Sequence, residues 1–183
     1  MNSTNQGKLL IARPSLDTSF FKRTVVYICQ DTVNGSSGIV LNKLLDGFTV
    51  NDVCEMHNSH LEQYPLCHGG PVKSQSVTML HTEGWTSANT INIGNGLSIS
   101  SDEFMLEKLA SGDEPDNWRL FAGICMWSHG QLESELYGHA RPDNEDSWIL
   151  AEPSIDDIFY DAHQDHWDHA IELFSSQMVK TYF

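Results

Sequence analysis

A chain of 183 residues, 40% of them hydrophobic, is long enough to bury one core, and its length predicts a single domain over residues 1–183. Its 25 acidic side chains outnumber 10 Lys and Arg side chains, which gives a formal net charge of −15. That charge argues against direct binding of nucleic acid, because such binding depends on basic side chains that neutralise phosphates. No apolar run approaches the roughly 18 residues of a membrane-spanning helix, so a membrane protein of that class is not expected.

Residues 1–7 carry no charged side chain and lack the basic and apolar parts of a secretory signal peptide, so they predict a loose N-terminal tail. The four cysteines form no C-x-x-C pair, and three of them lie in or beside apolar segments. This pattern is typical of reduced, buried thiols rather than of a disulfide framework. We therefore expect a cytoplasmic protein.

Short apolar and β-branched runs in the first half of the chain are typical of β-strands, and turn residues separate them. The predicted strands of this half are residues 9–12, 24–29, 37–42 and 76–81. Asn34 and Gly35 predict a tight hairpin between the second and the third of these strands. Thr49 is suited to cap a short helix over residues 50–57.

The second half alternates between strands and helices, and its predicted strands are residues 90–93, 97–99, 118–127 and 147–150. Ser100 and Glu103 predict a capping box for a helix that runs to Leu109, and Ser154 with Asp157 predicts another short helix. Further helices are predicted over residues 131–139 and along the apolar stripe of Trp167, Ala170, Ile171, Phe174 and Met178. Because hairpin turns are frequent, the sequence predicts a mixed α/β fold with a largely antiparallel sheet.

The charge is unevenly distributed along the chain. Residues 8–43 hold five of the ten Lys and Arg residues against two acidic ones, whereas residues 142–179 hold ten acidic residues and no Lys or Arg. Arg23 and Lys43 lie at opposite ends of the predicted hairpin strands and would project to one edge, where they could bind a small anionic ligand or an acidic partner segment. The alternative, which we favour, is ordinary ion pairing with surface carboxylates.

Several ordered motifs resemble the AlgH/YqgE family, a group of small bacterial proteins, and together they span most of the chain. The matching residues are Ile11-Ala-x-Pro14-Ser-Leu, Phe21-x-Arg23-Thr-Val-Val-Tyr27, Gly38-Ile-Val-Leu-Asn-Lys43, Gly69-Gly-Pro-Val72, Leu80-His81, Gly123, Trp127, Gly130-Gln-Leu132, Glu133, Glu135, Trp148, Pro153 and Trp167. Each motif alone is weak support, but their order and spacing together make the resemblance strong.

The resemblance implies a compact α/β domain whose sheet is partly closed into a small barrel, with helices around it. It implies much less about function. Relatives are often labelled as transcriptional regulators, but this chain shows no helix-turn-helix with a basic recognition helix. A regulatory role without direct readout of DNA is therefore the expectation.

Candidate site residues cluster where a predicted strand joins a predicted helix. Gln131 and Glu135 lie four residues apart and share one helix face near Trp127, which suits a polar pocket or a partner surface. Helix capping with solvated acids is the favoured alternative. Ser128 and His129 suggest a nucleophile and a base, but neighbours in sequence rarely have the required geometry, and a turn is favoured.

Two histidine-containing patterns suggest other chemistry. Cys67 precedes His68, and an imidazole can lower the pKa of a thiol, but direct adjacency gives poor geometry for an activated thiol. Near the C-terminus, His163, His166 and His169 alternate with aspartates in a pattern that resembles a metal-binding tract. An acidic, solvated helix face is the favoured alternative, so no metal or cofactor is expected.

Two functions remain open from the sequence. The first, which we favour, is a non-enzymatic regulatory or interaction module that contacts a protein or a small ligand. The second is a hydrolase-like enzyme with a pocket near His81, Trp127 and Glu135, which requires a histidine and a carboxylate within hydrogen-bonding reach. The chain shows no complete catalytic set, so no catalytic residue is assigned.

Overall fold

The computed structural model describes residues 4–16, 20–137 and 147–182, which divide into two compact units. Unit 1 contains the described residues of 1–42 and 125–183, and unit 2 contains residues 43–124. Within the described ranges, no helix is both long enough and apolar enough to cross a membrane. The helix predicted over residues 131–139 is described as far as Tyr137, and the rest of that prediction lies outside the described residues.

Strands and helices alternate along the described ranges. The strands are β1 (Leu9–Ala12), β2 (Val25–Thr32), β3 (Gly35–Val40), β4 (Leu44–Thr49), β5 (Pro65–His68), β6 (Val72–Thr82), β7 (Ile91–Gly94), β8 (Leu97–Ser100), β9 (Trp118–Ser128) and β10 (Trp148–Ala151). The helices are α1 (Glu103–Ala110), α2 (Gln131–Tyr137), α3 (Ile155–Ile158) and α4 (His166–Tyr182), with 3-10 helices over Val50–Val53 and Ser59–Gln63. The predicted fold class, mixed α/β with a largely antiparallel sheet, is confirmed.

Unit 1 is built on the strand order β10-β1-β2-β3-β9, and all four of these strand pairs are antiparallel. The predicted β2–β3 hairpin is confirmed, but its two turn residues are Val33 and Asn34, one residue earlier than the predicted Asn34 and Gly35. All four residues of β1 are buried, so β1 is covered on both faces, as its continuous apolar sequence predicts. Leu132 and Leu136 of α2 pack against this sheet, and α4 packs on β1, β2 and β10.

Unit 2 is built on the strand order β7-β8-β6-β9-β5-β4, and β5–β9 is the parallel pair among the described strand pairs of this unit. The predicted hairpin between β7 and β8 is confirmed. Gly94, Asn95 and Gly96 at its turn all have positive φ, which explains why glycine occupies two of the three positions. Met105 and Leu109 of α1 are buried in the core of this unit.

Two glycine-containing segments of unit 2 bring their backbones into close contact. Gly123 in β9 has a φ of 79°, and a Cβ at this position would overlap the carbonyl oxygen of Gly70. A Cβ at Gly69 would likewise overlap the carbonyl oxygen of Gly123. Gly69 and Gly123 are therefore required to be glycine, because a larger residue does not fit at either contact.

The start of α1 differs from the prediction. The sequence suggested a capping box of Ser100 and Glu103, but Asp102 is the N-cap residue, and its side chain accepts a hydrogen bond from the amide of Met105. Ser100 is instead the last residue of β8, and its hydroxyl lies 3.0 Å from Nε2 of His81. The capping-box prediction for α1 is therefore wrong, whereas the box of Ser154 and Asp157 is confirmed.

Residues 4–7 are held against β2, which differs from the prediction of a loose tail over residues 1–7. The amide of Asn5 donates to a carboxylate oxygen of Asp31 at 2.7 Å, and Asn5 is buried. The amide of Gly7 donates to the carbonyl oxygen of Ile28 at 2.9 Å. Residues 1–3 of the predicted tail lie outside the described residues.

Candidate functional site

One carboxylate of unit 1 connects the end of β9 with α2 and β10. The indole N–H groups of Trp127 and Trp148 both donate to Oε2 of Glu135, each at 2.9 Å. Nε2 of Gln131 donates to the other carboxylate oxygen at 3.0 Å. We call this group of four side chains the Glu135 junction. The structure thus brings together three predicted site residues, Trp127, Gln131 and Glu135, and adds Trp148 to them.

The Glu135 junction satisfies polar groups that lie inside the protein. Trp127 and Trp148 are buried, so their N–H groups need an internal acceptor, and one carboxylate oxygen serves both. The two rings also meet edge to face, with centroids 6.5 Å apart. Burial and, to a lesser extent, the Glu135 carboxylate raise the pKa of the nearby Cys125 thiol to about 12. These contacts are those of a structural acceptor that holds three elements together.

Ser128, the last residue of β9, and His129, which follows it, have separate partners. The amide and the hydroxyl of Ser128 both donate to Oε1 of Gln131, at 3.0 and 3.2 Å. Nδ1 of His129 lies 2.6 Å from the carbonyl oxygen of Val33. Gly130, with a φ of 73°, makes the turn into α2. This geometry is that of a strand-to-helix turn, not of a nucleophile activated by a base.

His81, the histidine of the hydrolase-like alternative, is fully buried in unit 2. Its Nδ1 lies 2.9 Å from the carbonyl oxygen of Thr82, and its Nε2 lies 3.0 Å from the hydroxyl of Ser100. Burial lowers the pKa of His81 below its ordinary value, so the imidazole is neutral near pH 7. Among the described residues, the hydrogen-bonding partners of this ring are therefore a carbonyl and a hydroxyl. Trp127 and Glu135, the other two residues of the hydrolase-like alternative, belong to unit 1.

The two basic candidates occupy different units. Arg23, in unit 1, lies with its guanidinium nitrogen 2.6 Å from a carboxylate oxygen of Asp168 and with its Cζ 4.3 Å from the ring centroid of Trp167. This is the surface carboxylate pairing that we favoured from the sequence. Lys43 is the first residue of unit 2, and partial burial lowers the pKa of its ammonium group. Its backbone carbonyl accepts a hydrogen bond from the amide of His68 at 2.8 Å.

The C-terminal histidines make contacts within the protein. Nε2 of His169 lies 2.7 Å from a carboxylate oxygen of Asp157, and its ring stacks on Tyr160 with centroids 4.2 Å apart. His166 is fully buried, and its Nε2 lies 2.8 Å from the carbonyl oxygen of Asp157. The amide of His163 donates to the backbone of Asp161. In the part of the chain that the structure describes, no three His, Cys, Asp or Glu side chains are grouped to hold a metal ion.

The cysteines show no sign of activation. Cys67 is buried next to His68, and burial raises the pKa of its thiol to about 11, although Arg119 partly offsets the shift. Burial, with a smaller contribution from Cys125, raises the pKa of the Cys29 thiol to about 12. Thiols with such high pKa values are protonated at neutral pH and are poor nucleophiles.

A groove with a volume of about 650 Å³ lies beside α1 in unit 2, and the sequence did not identify it. We call it the α1 groove. Its apolar lining consists of Val53, Met56, Phe104, Leu106 and Ala110. Met56 is 58% exposed and Phe104 is 51% exposed. Ligand pockets commonly measure roughly 300–1,000 Å³ and combine apolar walls with a few polar groups, so this groove has the size and the lining of a binding surface.

The α1 groove carries unbalanced negative charge. Its charged lining consists of Glu55, Glu103, Glu107, Lys108 and Asp113. The ammonium group of Lys108 already has two partners, because its Nζ lies 3.0 Å from a carboxylate oxygen of Asp113 and donates to the carbonyl oxygen of Thr86 at 2.8 Å. The hydrogen bond from Lys108 lowers the pKa of Asp113. The three glutamates are exposed, and no other described residue forms a side-chain hydrogen bond or ion pair with them.

Comparisons with known proteins agree with the motifs and with the fold. A family model described as AlgH-like matches residues 9–179. A UPF0301 protein from Shewanella oneidensis is 34% identical over 174 residues, which cover 90% of this chain and 88% of that protein. A UPF0301 protein from Marinomonas sp. strain MWYL1 is 30% identical over 163 residues, which cover 85% of this chain and 81% of that protein.

Two solved structures resemble this one in fold. The solution structure of AlgH from Pseudomonas aeruginosa has a TM-score of 0.79 at 22% identity and covers 94% of this chain and 90% of that chain. The crystal structure of DIP2367 from Corynebacterium diphtheriae has a TM-score of 0.71 at 23% identity, with coverage of 93% and 87%. With a family model that matches nearly its whole length and with relatives at 30% and 34% identity, this chain belongs to the AlgH-like family.

Proposed function

We propose that this protein is a non-enzymatic interaction module, and that the α1 groove is the surface through which it contacts a protein partner or a small ligand. The observation that carries the proposal is the groove itself. It has a volume of about 650 Å³ and is lined by half-exposed apolar side chains and exposed carboxylates. The free energy falls when another molecule covers apolar surface of this kind and removes it from water. Contiguous exposed apolar patches therefore mark interaction sites.

The polar residues that the sequence singled out support a binding role over catalysis. Glu135 accepts hydrogen bonds from two buried tryptophans, and the ring of His81 is engaged by a carbonyl and a hydroxyl. A general base or nucleophile needs a free position toward its substrate. Among the described residues, no observation favours the hydrolase-like alternative. We therefore interpret the Glu135 junction as an architectural feature of the fold.

The proposed partner is not nucleic acid, and the proposed compartment is the cytoplasm. A net charge of −15 and a groove rich in carboxylates would both repel a phosphate backbone. Cys29, Cys67 and Cys125 are buried as thiols, which suits a reducing compartment. A small anionic ligand at Arg23 is not part of the proposal, because Asp168 already pairs with that guanidinium.

The proposal is tested by titrating the protein with Nile red, an uncharged dye that becomes fluorescent in apolar surroundings. An anionic dye would be repelled by the glutamates of the groove, so the uncharged dye is the appropriate probe. We expect a saturable increase in fluorescence that falls several-fold in Phe104→Ser and in Met56→Ser. The control is Val33→Ser, since Val33 is 81% exposed in unit 1 and lies outside the groove. Equal dye binding by all three variants and the unmodified protein would overturn the proposal.

A further inference from the structure

We infer that the occupant of the α1 groove is a short basic amphipathic segment of a partner protein, bound through apolar side chains and flanking Lys or Arg residues. This inference rests on the proposed function and names the partner class for the same groove. It follows from the charge of the groove, from the apolar side chains that it leaves exposed, and from the length of α1.

The charge of the groove selects a cationic partner. Three glutamates, Glu55, Glu103 and Glu107, line it and have no side-chain partner among the described residues. The only cationic side chain in the lining that the structure describes, Lys108, is held by Asp113 and by the carbonyl of Thr86. A purely apolar occupant would remove water from these carboxylates without replacing their hydrogen bonds, which is unfavourable. Lys or Arg side chains at the edge of the occupant would provide that replacement.

The apolar side chains select an occupant that has an apolar face of its own. Phe104 in the first turn of α1 is half-exposed, while Met105 beside it is fully buried in the core. Met56 is also half-exposed, so the groove presents two large flexible or aromatic side chains to solvent. Aromatic and methionine side chains are enriched where proteins bind one another, because they bury much area and adapt to the partner.

The length of α1 suits two turns of an amphipathic helix. α1 has eight residues, which corresponds to about 12 Å at 1.5 Å per residue. In helix-in-groove binding, the anchors lie at positions i, i+3 or i+4, and i+7, so the outer anchors are about 10 Å apart along the helix axis. Three such anchors therefore match the length of α1, and the intervening positions of the partner helix can carry the basic side chains.

The inference is tested with synthetic peptides of about four helical turns. The first carries leucines at helical spacing with lysines on the flanking positions. The second replaces each lysine by glutamate, and the third scrambles the order so that the leucines no longer share a face. Binding is measured by fluorescence anisotropy with a label on each peptide. We expect saturable binding of the first peptide only, and weaker binding at high salt, because salt screens the ion pairs.

Matched variants of the protein locate the bound peptide. Glu103→Gln combined with Glu107→Gln should weaken binding of the basic peptide by about fivefold, as expected for charge pairs at the edge of an interface. Phe104→Ser should weaken it by about tenfold or more, as expected for a central aromatic anchor. The control combines Glu133→Gln with Glu172→Gln, which changes the net charge equally at two exposed glutamates of unit 1 and should leave affinity unchanged.

The outcomes separate this inference from the proposed function. Equal binding of the acidic or the scrambled peptide would overturn the inference, and so would equal weakening by the control pair of substitutions. Binding of Nile red in the groove without binding of the basic peptide would overturn the inference while the proposed function stands. Self-association of the protein that Phe104→Ser abolishes, measured by sedimentation, would show a second copy of the chain as the occupant and would also overturn the inference. Failure of both probes would overturn both proposals.

Discussion

The Glu135 junction and the α1 groove contain similar side chains but use them in opposite ways. In the junction, a carboxylate lies between two buried indole N–H groups and the amide of Gln131. In the groove, three glutamates and an aromatic ring face solvent. All four residues of the junction belong to the motifs that carry the family resemblance, whereas no residue of those motifs lines the groove. The motif residues of the junction therefore report how this chain folds, whereas the proposed binding surface was identified from exposure and charge.

The largest expected effect that separates the two regions is on stability. Glu135→Leu removes the acceptor of Trp127 and Trp148, and each buried donor left without a partner costs about 1–3 kcal/mol. We expect the free energy of unfolding in urea to fall by roughly 3 kcal/mol, while Nile red still binds the folded protein. Glu133→Leu is the matched control on the exposed side of α2. If both variants were equally stable, the junction would not have the structural role assigned to it.

The second effect concerns the pH dependence of stability. Burial alone would raise the pKa of Asp157, but hydrogen bonds from Ser154 and His169 outweigh it and hold the pKa below its ordinary value. A lowered folded-state pKa means that Asp157 stabilises the protein above the unfolded value of about 3.9, and that this contribution is lost as the pH falls through the folded value.

Asp157→Asn should therefore lower the free energy of unfolding at pH 7 by about 1–2 kcal/mol. This difference from the unmodified protein should become smaller toward pH 3. Urea denaturation at both pH values measures it, with Asp156→Asn as the neighbouring exposed control. A constant difference for Asp157→Asn across this pH range would contradict the assigned hydrogen bonding.

A smaller effect is expected at the surface of unit 1. Arg23 pairs with Asp168 and stacks on Trp167, but its side chain is half-exposed, and exposed ion pairs contribute about 0.2–1 kcal/mol. Arg23→Ala should lower the free energy of unfolding by about 0.5–1 kcal/mol, and Lys180→Ala, at an exposed lysine of unit 1, serves as the control. Phosphate binding that is lost in Arg23→Ala would contradict the view that this arginine is structural.

The smallest expected effect on stability belongs to the groove. Phe104→Ser alters a half-exposed side chain, so the free energy of unfolding should change by no more than about 0.5 kcal/mol. The same substitution should strongly reduce binding of both probes. Thermal and urea unfolding of Phe104→Ser beside Met105→Ser, which alters the fully buried neighbour, checks this contrast. A Phe104→Ser protein as unstable as the Met105→Ser protein would show that Phe104 belongs to the core.

Elements that depend on local sequence could be predicted well. Leu9–Ala12 has a continuous apolar run, and it is a strand buried on both faces. The turns near Gly35 and Gly94 were predictable because particular residues are needed there. β4 was not predicted, since Asp46 and Gly47 are poor strand formers and its pairing with β5 is a tertiary contact. The cap of α1 was misplaced because the end of β8 could not be located from sequence.

The sites could be predicted only in part, because they depend on residues that are distant in sequence. Gln131 and Glu135 could be placed together from their helical spacing, but their link to Trp148 required the packing of β10 beside α2. The α1 groove forms between the segment that ends at Met56 and a helix that begins at Glu103. No sequence pattern connects those two segments, so exposure of apolar side chains in the folded chain was the first sign of the groove.

The most direct test of the contrast between the two regions is a single set of affinity measurements for the basic peptide. It compares the unmodified protein with Phe104→Ser in the groove and with Glu135→Gln in the junction, which retains an acceptor oxygen for the tryptophans. We predict that Phe104→Ser weakens binding by about tenfold or more, and that Glu135→Gln leaves it within about twofold of the unmodified protein, as expected for a site outside the interface. Loss of binding in Glu135→Gln with full binding in Phe104→Ser would contradict the assignment of the α1 groove as the interaction surface.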